Sequence, residues 1–71
     1  MNNERRKEIR KICGQIENLV GKLDDILFEE QDSYENMIGD ERKEASEEAQ
    51  DCIEAAKDSL SEAVESLEEV L

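Results

Sequence analysis

Ile9-Arg10-Lys11-Ile12-Cys13-Gly14-Gln15-Ile16-Glu17-Asn18-Leu19-Val20-Gly21-Lys22-Leu23-Asp24-Asp25-Ile26 places apolar residues at 9, 12, 16, 19, 23 and 26. Steps that alternate between three and four residues are the signature of a helix burying one seam against another helix. A second stripe runs beside it at Cys13, Val20, Leu27 and Tyr34, each seven residues apart. The apolar face is therefore wider than one partner helix covers. The pattern predicts a helix from about residue 3 to 36, roughly 50 Å long.

The periodicity breaks at Met37-Ile38-Gly39-Asp40. Glycine after the last periodic residue reads as a helix stop, and aspartate next reads as an N-cap. The turn is thus expected at 37–40 and a second helix at about 41–70. In that helix Ile53, Leu60 and Leu67 fill one heptad position, and Ala49, Ala56, Ala63 and Val70 fill the other. Val64 and Leu71 widen the face. A short turn makes the helices antiparallel. Folding about residues 38 and 39 sets Ile9 near Leu67, Ile16 near Leu60, Leu23 near Ile53 and Ile26 near Ala49.

Charge supports the same topology. Residues 1–23 hold six basic and three acidic side chains, and residues 49–71 hold one basic and seven acidic. Arg5, Arg6, Lys7, Arg10 and Lys11 oppose the dipole of a lone first helix, as Glu62, Glu65, Glu68 and Glu69 oppose that of a lone second one. A hairpin puts the two groups side by side. Residues 24–48 carry eleven acidic side chains against only Arg42 and Lys43. The turn half is therefore strongly acidic, either as a solvated face or as a binding surface.

Composition narrows the function. The chain has 71 residues, a net charge of −12, 42% charged residues, and no histidine, proline or tryptophan. One small domain fits that length, with a marginal core. Phosphate backbones and anionic lipid repel such a chain, so direct nucleic-acid and membrane binding are not expected, whereas a basic protein surface attracts it. No apolar run is long enough for a membrane span, and the first residues lack a signal peptide's apolar region. The expected location is cytoplasmic.

Catalytic chemistry is not expected. Without histidine there is no Glu-x-x-His di-iron pattern and no base for a cysteine nucleophile. Two distant cysteines do not make a zinc site, and the ligand spacing around Gly39 fails for a calcium loop, leaving weak cation binding at most. No cofactor or metal is implied. Gly14, Gly21 and Gly39 are isolated, so no phosphate loop is present. Gly14 and Gly21, on one helix face, allow either close approach of a second molecule or mere tolerance. Cys13 and Cys52 read as buried small hydrophobes, with an intermolecular bridge as the alternative; the hairpin holds them too far apart for a bridge within one chain. Glu30 and Ser33 interrupt the seam, as a solvated end or as a register device. Phe28 lies off the seam, either an interface anchor or dimer core.

Asn3-Glu4-Arg5-Arg6-Lys7-Glu8-Ile9, the stretch from Glu29 to Met37, and the ending from Asp58-Ser59-Leu60 through Ser66-Leu67-Glu68-Glu69-Val70-Leu71 resemble small acidic helical proteins of phages and prophages, whose function is uncharacterised. Several of those proteins have a longer, proline-containing turn after the Asn-Met pair. The resemblance implies a phage or mobile-element accessory protein acting in the host cytoplasm, and it implies no activity.

The resulting expectation is an all-α, coiled-coil-like antiparallel hairpin that dimerises into a four-helix bundle. Its core comprises Ile9, Ile12, Cys13, Ile16, Leu19, Val20, Leu23, Ile26, Leu27, Ile53, Leu60, Val64 and Leu67. The function reads as a non-enzymatic acidic module that inhibits a host nucleic-acid-binding defence protein, of anti-CRISPR or anti-restriction type, by charge mimicry of phosphate. Its contact residues are Asp24, Asp25, Phe28, Glu29, Asp32, Tyr34, Glu35, Asp40 and Glu41. The alternative is a structural adaptor that scaffolds an assembly through homodimerisation.

Overall fold

A computed structural model describes all 71 residues as two helices joined by a short turn, with no strands. Helix α1 spans Asn3–Glu35 and α2 spans Asp40–Glu68. They fold back on one another as a rod measuring 56 × 15 × 10 Å.

The Asn2 side chain starts α1 by accepting from the Arg5 amide at 2.8 Å, which satisfies one of the first-turn donors. At the other end the Asn36 and Met37 amides donate to the Ser33 and Tyr34 carbonyls, tightening the last turn. Gly39 does not stop α1. It occupies the N-cap of α2 at φ 101°, ψ 138°, a backbone region open only to glycine without strain. Asp40, expected as the cap, is the first helical residue instead. Its charge and that of Glu41 face the positive end of the helix dipole.

The seam between the helices is not the one the first apolar pattern suggested. On α1 the half-buried and buried positions are Arg6, Ile9, Cys13, Ile16, Val20, Leu23, Leu27, Glu30 and Tyr34, with Asp24 half-buried beside Leu23. On α2 they are Lys43, Ser46, Gln50, Ile53, Lys57, Leu60, Val64 and Leu67. Both series keep the alternating three–four step, so the packing is coiled-coil-like. Ile12, Leu19 and Ile26 drop out of the seam, 43%, 50% and 49% exposed. Ala49, Ala56, Ala63 and Val70 are exposed too, and so is Cys52, while Cys13 is buried.

The physical reason is that α1 carries three apolar stripes and a two-helix seam has room for two. Closure on this side also makes two polar pairs across the helices. Lys57 pairs with Asp24, and the Tyr34 hydroxyl donates to Glu47 at 2.6 Å. These pairs also correct the register. Lys57 stands opposite Asp24, about one helical turn from the expected alignment of Ile53 with Leu23. The core is thin: only Cys13, Leu27, Val64 and Ser46 are buried.

Candidate functional site: an acidic face and an acid-free flank

The cross-helix contacts sort the surface into two sides. Asp24–Lys57 and Tyr34–Glu47 lie on one flank of the seam. So do two open grooves, one lined by Glu17, Val20, Ser61 and Val64, the other by Arg10, Cys13, Gly14, Glu17, Glu68 and Leu71. Since Glu17 and Asp24 share this flank with Glu47, Ser61 and Glu68, the residues on the other side of each seam share the opposite one.

On α2 the polar side is continuous. Glu44, Asp51, Asp58 and Glu65 follow one another at heptad spacing, and Asp40, Glu47, Glu54 and Glu68 line the adjacent strip. Glu41, Glu48, Glu62 and Glu69 lie beyond them. All twelve acidic residues after the turn therefore fall on one broad face. The basic residues of α2 lie off it, with Lys43 and Lys57 in the seam and Arg42 beyond it. Acidity thus runs the length of α2 and is not confined to the turn. The sequence signal was the seven-residue spacing of the acids themselves, which counting charge by segment hides.

The anticipated contact residues divide accordingly. Asp25, Phe28, Glu29, Asp32 and Glu35 are exposed and recur at three- and four-residue steps, so they share the outer surface of α1 near the turn. Phe28 is 67% exposed and does not pack in the hairpin. Asp40 and Glu41 are exposed at the start of α2. Two residues are already engaged. Asp24 is paired with Lys57, and Tyr34 sits half-buried, its hydroxyl on Glu47 and Lys43 5.6 Å above its ring. The hydrogen bond to Glu47, together with desolvation and the same carboxylate's charge, holds the Tyr34 phenol above its ordinary pKa.

The opposite flank is different in kind. Ile12, Leu19 and Ile26 of α1 face the same way as Ala49, Ala56, Ala63 and Val70 of α2, with Ala45, Cys52, Ser59 and Ser66 alongside. None of the chain's 21 acidic residues occupies any of these positions.

No group of three or more Cys, Asp or Glu side chains is arranged to hold a metal ion, and no helix is long and apolar enough to cross a membrane. Comparison with known proteins gives no match: no family model fits the chain, and no curated protein or solved structure is significantly similar to it.

Proposed function

We propose that this chain is a non-enzymatic binding module whose acidic face occupies a basic, nucleic-acid-binding surface of another protein. The observation that carries the reading is the charge spacing on α2. From Asp40 to Glu69 the helix axis runs about 44 Å at about 1.5 Å per residue. Its twelve carboxylates therefore fall about every 4 Å, close to the roughly 3.4 Å phosphate repeat of one nucleic-acid strand. That is an axial average over three adjacent strips, each with carboxylates about 10.5 Å apart at seven-residue steps, and a broad face of this density presents Arg and Lys side chains with phosphate-like partners. Exposed Phe28, beside the acidic turn, adds an apolar anchor. In the phage reading the target is a host defence protein such as a restriction or CRISPR effector.

The test is displacement of labelled DNA from purified restriction and CRISPR effectors, repeated at low and high salt. The chain is expected to release DNA from a responsive effector at about 50 mM salt and to lose that ability at several hundred mM, because exposed charges are screened. Neutralising Asp32, Glu35, Asp40 and Glu41 together, or Glu44, Asp51, Asp58 and Glu65 together, is expected to weaken release about tenfold or more. Release that is insensitive to both variants would sink the charge-mimicry reading.

The second reading is an adaptor that scaffolds an assembly through homodimerisation. One observation favours it, the acid-free apolar flank. A dimer is the working unit under either reading.

A further inference from the structure

We infer that a second copy of this chain covers the flank bearing Ile12, Leu19, Ile26, Ala56, Ala63 and Val70, in an antiparallel dimer with the two turns at opposite ends. The inference deepens the dimer named above and does not depend on what the acidic face binds.

Three observations lead to a second copy. The first is area. A compact monomer of 8.1 kDa exposes about 4,500 Å² by the usual scaling of surface with mass, whereas this chain exposes 5596 Å². The excess is about 1,100 Å², enough for the roughly 800 Å² that each partner contributes to a standard interface. The second is charge. A partner recruited by a chain of net charge −12 is basic and belongs on the acidic face. Between Ile12, Leu19 and Ile26 of α1 and the alanines of α2 the flank carries no acid to greet it, Glu8 and Glu29 standing only at its α1 border, so its occupant must be apolar there, as this flank itself is. The third is shape. Large side chains line α1 and small ones line α2, so two such flanks face to face bury an α1–α1 contact through the large side chains and let the two α2 helices approach closely over alanine.

Charge also selects the orientation. Residues 24–48 hold eleven acidic and two basic side chains. Turns placed together would set two such segments against each other. Turns placed apart set each beside the partner's open end, where residues 1–23 and 49–71 together hold seven basic and ten acidic side chains, a net of −3 against −9 for the turn segment. With a two-fold axis near Leu19, Ile12 of one copy lies over Ile26 of the other, and Leu19 meets Leu19. The acidic turns then stand at opposite ends of a rod about as long as one hairpin, 56 Å.

Sedimentation equilibrium tests the assembly. The chain is expected at about 16 kDa, twice its 8.1 kDa mass. Leu19→Glu is expected at the monomer mass with its helix content retained, because Leu19 is half exposed within the hairpin. Phe28→Glu, on the other side, is expected to stay dimeric. A monomeric wild type, or a dimeric Leu19→Glu, overturns the proposal. Should Leu19→Glu lose its helices as well, the wild-type melt decides. A midpoint that climbs with protein concentration supports the dimer, and one that does not refutes it. Orientation is read from Leu19→Cys in a Cys13→Ala, Cys52→Ser background. Antiparallel packing gives a disulfide-linked dimer, whereas turns placed together hold the two α1 helices diagonally apart and give none. Loss of the dimer would leave DNA displacement by the acidic face measurable on the monomer, so the two ideas fail separately.

Discussion

The Tyr34 hydroxyl donates to the Glu47 carboxylate at 2.6 Å, and the Lys43 ammonium lies 5.6 Å from the ring centroid. This cluster joins the end of α1 to the first turns of α2. Ionising the phenol would remove its donor proton and set a phenolate against a carboxylate, which is why its pKa is raised. The sign of the linkage follows. A folded-state pKa above the unfolded value of about 10 means that the contribution to stability is complete below that value. It is lost as pH rises through the folded pKa. Tyr34 is the only tyrosine, so its ultraviolet titration reads this one site. The midpoint is expected above the ordinary value, and Glu47→Gln is expected to lower it towards that value. An unchanged midpoint in Glu47→Gln would mean that the hydrogen bond does not form in solution.

At the scale of elements, the two halves of the seam differ. Away from the turn, Ile9, Cys13, Ile16 and Val20 meet Leu60, Val64 and Leu67, all apolar. Towards the turn Leu27 and Tyr34 share the seam with Glu30, Lys43, Ser46 and Gln50, with Lys57 midway along α2. Gln50 bonds Ser46 at 3.2 Å, so polarity is partly satisfied within the seam. Burial of such groups yields less than burial of hydrocarbon. The turn half is therefore the less stable end, and amides in residues 30–50 are expected to exchange several-fold faster than those in 12–23 and 56–66. Uniform protection along both helices would contradict this.

The same seam shows what the sequence could convey. Two helices, their antiparallel order and their ends to within a residue or two follow from periodicity and from the break near Gly39. Seam choice does not. Residues 9, 12, 16, 19, 23, 26 and residues 9, 13, 16, 20, 23, 27 obey the same spacing rule, and only the partner helix selects between them. By hydropathy, alanine at 49, 56 and 63 reads as a better core residue than Gln50 or Lys57. The pairing of Lys57 with Asp24, forty-odd Å of helix path away, carries no local signal. Acidity of the surface is legible at the turn, where segment charge is extreme, and not along α2, where facing matters more than composition.

For the whole molecule, charge opposes compactness. The acidic face of α2 places like charges at three- and four-residue steps along the helix, from Asp40 and Glu44 through Glu65 and Glu69. Each such pair destabilises the helix by about 0.2–0.5 kcal/mol at low ionic strength. Against them stand the single Lys57–Asp24 pair and the attraction between the basic start and the acidic end of the chain. Repulsions outnumber attractions, so screening is expected to stabilise the fold. Raising salt from about 0.02 to 0.5 M shortens the Debye length from more than 20 Å to about 4 Å. With roughly 1–2 kcal/mol recovered, the midpoint of thermal unfolding should rise by about 5–10 °C. Circular-dichroism melts at one fixed protein concentration measure this, since dimerisation also shifts the midpoint. The slope should shrink when Glu44, Asp51, Asp58 and Glu65 are neutralised together. A midpoint that falls with salt would show that attraction between the two ends outweighs repulsion along α2. The predicted direction bears on function, because salt then strengthens the fold while it weakens engagement of a basic partner. Loss of DNA displacement at high salt would in that case report the screened acidic face and not an unfolded chain.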